Sequence, residues 1–317
     1  MSKEVRKVLI IDEVHPLIPE ELNNHGFSCE FFPAYRREDF LRVIEQYTGV
    51  IVRSKIRLDK EFLSNASMLK FIGRVGSGLE NIDVEYAQQQ GIACLNSPEG
   101  NRDAVAEHAV GMILSLMNYI NRSDKEVRVG KWIREGNRGN EIKGKKVGII
   151  GYGNTGSAFA QRLKGFETTV ISYDKYKTGY SDGNTREVTL TEIFESADIL
   201  SLHVPLTEET TYMVDAHFIG MFRKPFWLIN TSRGNVIKTS DLVEALKAGK
   251  ILGAALDVLE YEDSSFEALS RDLPDDFRYL MEAENVILTP HIAGWTQESN
   301  IRLAKVLVEK IVNLSQI

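Results

Sequence analysis

Residues Lys146 to Asp174, KVGIIGYGNTGSAFAQRLKGFETTVISYD, constrain the fold more than any other stretch of the chain. The run Val147-Gly148-Ile149-Ile150 has the length and branched content of a buried parallel strand. Gly151-Tyr152-Gly153-Asn154-Thr155-Gly156 follows at once, and Ala158, Phe159 and Leu163 then recur at helical spacing. Thr169 to Tyr173 reads as a second strand, closed by Asp174. Each part has a physical task in holding a dinucleotide. Gly151 permits the tight turn, Gly153 lets backbone approach a pyrophosphate, and Gly156 allows helix to pack closely on strand. Free N–H groups and the positive dipole end of the helix attract the phosphates. Asp174 accepts hydrogen bonds from both ribose hydroxyls and repels a 2′-phosphate, so the stretch favours NAD over NADP. A glycine string alone is weak; the strand before it, the helix after it and the acid at the second strand's end make it specific.

A chain of 317 residues has room for about two domains. Its 43% hydrophobic and 26% charged residues give apolar material for two cores. A net charge of −7, with no basic run to offset it, speaks against a nucleic-acid partner. The apolar stretches are too short for a membrane span, and MSKEVRKVLIIDE lacks the apolar core and cleavage site of a secretion signal. A cytoplasmic location is therefore expected. Cys29 and Cys94 lie in or beside strand-like runs and are expected to be reduced, and no spacing resembles a metal site.

Strand and helix alternate along the rest of the chain. Strands are expected over 5–12, 27–32, 49–52, 69–74 and 92–95, with helices over 18–25, 37–47 and 84–90, a parallel α/β unit in its own right. Ligands of such sheets sit beyond the carboxyl ends of strands, where Arg53-Ser54-Lys55, Gly76-Ser77-Gly78 and Asn96 fall. Residues 101–121 form a long apolar helix, and 122–144 a polar arm containing the isolated Trp132. After Asp174 the alternation resumes, with strands over 198–204, 227–231, 254–258 and 286–289. Helices are expected over 191–197, with Thr191 as its cap, 240–248 and 296–314. Three polar groups stand just past buried strands of this second part: Arg233, Glu262 and His291.

These residues carry a resemblance. The segments VGSGLENID (75–83), AEHAVGMIL (106–114), GKKVGIIGYGNTG (144–156), INTSRGNVI (229–237), GAALDV (253–258) and NVILTPHIAGWT (285–296) are spread over nearly the whole chain. In this order they resemble the D-isomer-specific 2-hydroxyacid dehydrogenases, most of all their phosphoglycerate dehydrogenase branch. The resemblance implies two Rossmann-like, doubly wound domains flanking an active-site cleft. Residues 1–98 with 292–317 would bind substrate, and 99–291 would bind NAD. It implies Arg233, Glu262 and His291 as the catalytic set, and a homodimer formed through the long helix and arm, about 101–143. Asn154, Thr155, His203, Pro205, Thr231, Ser232 and Asp257 would join Gly151, Gly153, Gly156 and Asp174 around the cofactor. Arg53, Ser54, Val75, Gly76, Ser77, Gly78, Asn101 and Arg134 would surround the substrate.

The residue types suit oxidation of a 2-hydroxy acid, which removes a hydride from C2 and a proton from its hydroxyl. Histidine exchanges protons near neutrality, which makes His291 the candidate acid/base. A paired Glu262 would fix its tautomer and stabilise the protonated ring that reduction needs as a donor. Arg233 would grip the carboxylate and polarise the C2 carbonyl. Glu260 stands two positions away, and Asp263 occupies a position where the family usually carries proline. The connection from Glu262 to His291 is also longer and more acidic than the family pattern, so the aim of Glu262 stays open. His108, on an apolar helix, reads as a packed histidine.

A 3-phosphate on the substrate would need positive charge, for which Arg53, Lys55, Arg74 and Arg134 are candidates; Arg53 and Arg134 match the phosphoglycerate branch best. The favoured reaction is 3-phospho-D-glycerate to 3-phosphooxypyruvate, the entry to serine synthesis. With the sequence ending at Ile317, feedback control through an added regulatory domain is not expected. The alternatives are a glyoxylate, hydroxypyruvate or D-lactate-type reductase, and an NAD(H)-sensing transcriptional corepressor of the same fold.

Overall fold

The computed structural model describes residues 6–262 and 273–314. Asp263 and the acidic segment after it, to 272, lie outside the described residues. Two compact units are present: one takes in the chain up to Asn101 and from Trp295 on, the other most of what lies between.

The first unit alternates β1 (Arg6–Ile10), α1 (Leu17–Asn24), β2 (Phe27–Phe31), α2 (Arg37–Val43), β3 (Gly49–Val52), α3 (Lys60–Ser64), β4 (Phe71–Arg74), α4 (Val84–Gln89) and β5 (Ala93–Asn96). Its five strands are all parallel, in the order β2-β1-β3-β4-β5. Successive side chains of a strand face opposite sides, and here both sides are apolar. Leu9, Ile11, Val50, Val52 and Ile72 pack with Phe40, Ile44 and Phe62 in one core. Val8, Ile10 and Ile51 pack on the other side with Ile18, Leu22, Leu307 and Ile311, the last two from the chain's terminal helix.

Helix α5 (Pro98–Met117) carries the chain onward and is followed by α6 (Ile120–Arg128). Then come β6 (Lys146–Ile150), α7 (Asn154–Arg162), β7 (Thr169–Tyr173), β8 (Thr185–Glu187), α8 (Leu190–Ser196), β9 (Ile199–Leu202), α9 (Ala216–Met221), β10 (Phe226–Asn230), α10 (Thr239–Lys247), β11 (Ile251–Leu256), α11 (Asp275–Glu282), β12 (Val286–Leu288) and the terminal α12 (Gln297–Leu314). The second sheet is again parallel, in the order β12-β11-β10-β9-β6-β7-β8. Strand order reverses beside β6, which has β7 on one side and β9 on the other. Such a reversal opens a crevice at the strands' carboxyl ends, and the glycine turn follows β6 there. None of the described helices is long and apolar enough to cross a membrane.

Two expectations are corrected. The cap of α8 is Thr189, whose side chain accepts from the Glu192 N–H, and Thr191 lies inside the helix. The first part of the expected arm is helical: the chain turns through left-handed Tyr119 (φ 52°) and runs as α6. A polar helix of this kind is supported by spaced ion pairs, here Asp124 with Arg128 at 2.7 Å. α3, α9, α11 and β8 are short elements that the apolar periodicity did not mark.

Candidate active site

Strands β10, β11 and β12 are neighbours, so the segments that follow them emerge side by side at one sheet edge. Asn230, fully buried at the end of β10, organises the first segment. Its Oδ1 accepts from Ser232 N at 3.0 Å and Ser232 Oγ at 2.7 Å, and its Nδ2 donates to Arg233 O at 3.0 Å. Arg233 leaves this turn extended (φ −141°, ψ 144°), with Nη1 donating to Ser232 O at 2.7 Å. Asn230 is not among the expected site residues; its signal in the sequence is a lone amide ending an apolar run.

The next two segments meet through their side chains. Glu262 Oε2 accepts from His291 Nδ1 at 2.7 Å, and Glu262 Oε1 accepts from the Leu259 N–H. The pair is largely withdrawn from water, with 13% of the Glu262 side chain and 25% of the His291 side chain exposed. A hydrogen on Nδ1 leaves Nε2 as the atom that can exchange a proton. The neighbouring acid is occupied elsewhere. Glu260 accepts from Thr239 N at 2.9 Å, at the start of α10, and from the Tyr212 hydroxyl at 2.8 Å. Of the two acids, Glu262 is therefore the one that faces the histidine.

His291 itself sits in the left-handed region, φ 55°. At a non-glycine residue this costs about 1–3 kcal/mol and persists only where the surroundings over-determine it. Here Asp257, 1% exposed, does so. Its carbonyl accepts from His291 N at 2.8 Å, and its carboxylate accepts from Ile292 N and Ala293 N, each at 2.9 Å. His108 is more than a packed residue: Nε2 lies 3.1 Å from Thr289 Oγ1 and 3.5 Å from Asp257 Oδ1.

The turn after β6 fits a dinucleotide. Gly151 has φ +91°, and a Cβ there would stand 2.4 Å from His203 O. A Cβ on Gly156 would stand 2.0 Å from Gly151 O. Both glycines are fixed by the chain's own packing. Gly153 differs, because a Cβ there meets no protein atom within 4 Å, which leaves open space beside the backbone at the start of α7. The first N–H groups of that helix have no intrahelical acceptor and face this end. Asp174 is oriented by three backbone donors: Tyr152 N at 2.7 Å, Tyr176 N at 2.9 Å and Lys177 N at 3.0 Å. His203 bridges Ser201 Oγ (2.8 Å) and Thr155 Oγ1 (3.2 Å), and burial pushes its imidazole down to about 3. Thr155 of the glycine turn is thereby held from below. Pro205 O accepts from Thr210 Oγ1 at 2.6 Å, which shapes the loop after β9. At the end of β10, the buried Thr231 hydroxyl has no hydrogen-bond partner among the described residues, a polar atom that a bound ligand could satisfy.

In the first unit, Asp12 gathers the loop after β3: its carboxylate accepts from Arg53 N (2.6 Å), Ser54 N (3.3 Å) and Lys55 N (3.0 Å). An acid directly after a buried strand was the available signal for it. The Arg53 guanidinium lies over the Trp295 ring, 4.3 Å from its centroid. Lys55 Nζ donates to Pro33 O at 3.2 Å, and Arg74 folds back to donate to Val75 O at 3.3 Å. Gly76, φ +149°, has its N–H on Ser97 Oγ at 3.2 Å, while Ser77 Oγ donates to Asn101 Oδ1 at 2.7 Å. Asn96 Nδ2 donates to Ser77 O at 2.6 Å, so the Val75–Gly78 turn is braced from β5. Arg134 lies exposed in the segment after α6, at the start of a short 3-10 turn.

Residues 110–293 match the family described as D-isomer specific 2-hydroxyacid dehydrogenase, NAD binding domain. A D-3-phosphoglycerate dehydrogenase of Archaeoglobus fulgidus is 34% identical over 312 residues, 98% of this chain and 57% of that protein. The chain thus spans about half the length of the phosphoglycerate dehydrogenases it matches. A hydroxypyruvate reductase of Thermotoga maritima is 35% identical over 275 residues, 87% of each chain. The structure of a D-lactate dehydrogenase from Aquifex aeolicus, complexed with NAD and lactic acid, superposes with a TM-score of 0.82 at 28% identity, over 98% of this chain and 95% of that one. Sheet order, glycine turn and sequence agreement over nearly the whole length lead to one assignment: the chain belongs to the D-isomer-specific 2-hydroxyacid dehydrogenase family.

Proposed function

We propose that this protein is an NAD-dependent dehydrogenase of a D-2-hydroxy acid, and that its substrate is 3-phospho-D-glycerate, oxidised at C2 to 3-phosphooxypyruvate. The observation that carries the activity is the 2.7 Å contact between Glu262 and His291 beside the end of β10, where Arg233 stands. Bound NAD supplies the hydride acceptor. His291 Nε2 takes the proton of the C2 hydroxyl in oxidation and returns it in reduction. Glu262 holds the ring through Nδ1 and offsets the positive charge the ring gains. Arg233 binds the substrate carboxylate and stabilises negative charge on the C2 oxygen. The glycine turn, Asp174, His203 with Thr155, and Thr231 hold the dinucleotide. The Val75–Gly78 N–H groups and Asn101 hold the acid.

The phosphate is assigned to Arg53. Its backbone is fixed by Asp12 and its guanidinium is steadied on Trp295, which leaves a planar cation with a defined position. Lys55 and Arg74 are turned toward backbone carbonyls and serve less well. Arg134, in the exposed segment that holds Val129 and Trp132, joins the same proposal through a homodimer. Those two side chains are 71% and 79% exposed, as an apolar surface kept for a second copy would be. Trp132→Glu should then give monomers by sedimentation; a dimer that survives the change removes this arm from the interface.

One observation favours a second reading. Relatives named hydroxypyruvate reductase and glyoxylate reductase are 35% and 36% identical and are matched over 87% and 80% of their own lengths. A kinetic comparison of 3-phosphooxypyruvate with hydroxypyruvate and glyoxylate, each with NADH, decides between them. Preference for the unphosphorylated acids by kcat/KM overturns the phosphoglycerate assignment and leaves the chemistry standing. Absence of NADH turnover with any 2-keto acid overturns the enzyme reading altogether and favours a corepressor.

A further inference from the structure

We infer that His108 is a positioning residue for the His291 turn, acting through Thr289 and Asp257. The inference rests on the reading of His291 as the acid/base. Three successive N–H groups, those of His291, Ile292 and Ala293, converge on Asp257, at 2.8, 2.9 and 2.9 Å. Asp257 is thus the clamp on the left-handed backbone that aims the imidazole. A clamp works only if it is itself held, and two further groups approach its Oδ1: the Thr289 hydroxyl and, more distantly at 3.5 Å, His108 Nε2. Thr289 Oγ1 lies 2.5 Å from that oxygen, 3.1 Å from His108 Nε2 and 4.0 Å from Met112 Sδ.

A hydroxyl has one hydrogen to give. The carboxylate at 2.5 Å is a far better acceptor than the thioether at 4.0 Å, so Thr289 donates to Asp257. Its oxygen must then accept from His108, which places a hydrogen on Nε2. The chain of donors runs from His108 Nε2 to Thr289 Oγ1 to Asp257 Oδ1, and Asp257 fixes the backbone of the turn. His108 comes from α5 and Thr289 from the end of β12, so this contact ties a helix to the segment that carries His291. His108 meets Thr289 and Asp257, so its effect passes through the aim of the His291 ring. Small errors of aim at a proton-transferring atom cost rate in preference to binding.

The test uses the full chain, NADH, and whichever of hydroxypyruvate and 3-phosphooxypyruvate it reduces better. His108→Phe keeps a ring and removes the donor; it should lower kcat about tenfold and leave KM and the NADH dissociation constant within about twofold. His108→Gln, which keeps an N–H donor, should restore most of the loss, and Thr289→Ser should outperform Thr289→Val. The double variant His108→Phe with Thr289→Val should be no slower than the worse single one, because both break one chain. Losses that multiply, a glutamine variant as slow as phenylalanine, or a fall in NADH binding that accounts for the rate would each overturn the inference. A normal kcat in His108→Phe while His291→Ala is inactive also overturns it and spares the reading of His291. Near-normal turnover in His291→Ala would overturn both.

Discussion

The two parallel sheets furnish their carboxyl edges differently. Beyond β3 and β4, the first unit presents backbone N–H groups gathered by fixed acceptors: Asp12 under Arg53–Lys55, and Ser97 under Gly76. The cations there rest on rings and carbonyls, Arg53 on Trp295 and Lys55 on Pro33. Beyond β11 and β12, side chains bond to one another, acid to histidine and acid to hydroxyl. A recognition surface needs steady donors and can exchange its outer side chains. Proton transfer needs an acid and a base held in contact. Substrate choice and chemistry should therefore separate by mutation, one edge each.

The largest effect expected is at the second edge. His291→Ala should lower kcat by on the order of a thousandfold while fluorescence titration shows NADH binding almost unchanged; near-normal turnover would remove His291 from proton transfer. Glu262→Gln should lower kcat by tens of fold, roughly, since the ring loses the charge that supports its protonated form. Glu260→Gln should leave kcat alone but lower stability in urea by about 1 kcal/mol, because its carboxylate serves the start of α10. Equal kinetic losses at Glu260 and Glu262 would show that the contact with His291 is not what matters.

At the first edge the expected effect is selective. Arg53→Ala should raise KM for 3-phosphooxypyruvate by about tenfold, the scale of one charge-assisted hydrogen bond, and change hydroxypyruvate little. Equal harm to both acids would remove the phosphate from Arg53.

The smallest effect concerns stability against pH. Burial holds His203 at about 3, against an ordinary 6.5. Between those values the unfolded chain binds a proton that the folded chain refuses, so stability present above about pH 6.5 is lost as pH falls toward about 3. Over that window the loss should be at most a few kcal/mol. His203→Gln should flatten the decline, read from urea midpoints at pH 7 and pH 4. A slope as steep as the parent's would assign the decline to other groups.

Much of the fold was legible because its signals are local. A buried parallel strand needs an apolar run, a turn after it needs glycine, and Val147–Gly156 supplies both within a few residues. The arm misled for the opposite reason. Residues 120–128 bury no side chain, so no apolar stripe marks that helix, and its support comes from pairs such as Asp124 with Arg128. Short elements such as α3 and α9, five and six residues long, take their place from packing that their own periodicity cannot announce.

The candidate site divides along the same line. Which residue types stand at the ends of which strands follows from local order along the chain, since strand ends and turn residues are set by neighbours. Glycines at 151 and 156, an acid at 174, and Arg233 and His291 past their strands follow from that. The folded arrangement brings Glu262, and not Glu260, to the histidine across 29 positions of chain. It alone turned Asp257 toward the backbone of residues 291–293 and brought His108 to Thr289, 181 positions away. Hydrogen bonds act over about 3 Å. Which groups come within that reach depends on sheet order and on one left-handed residue, and neither is written in the spacing of the residues it joins.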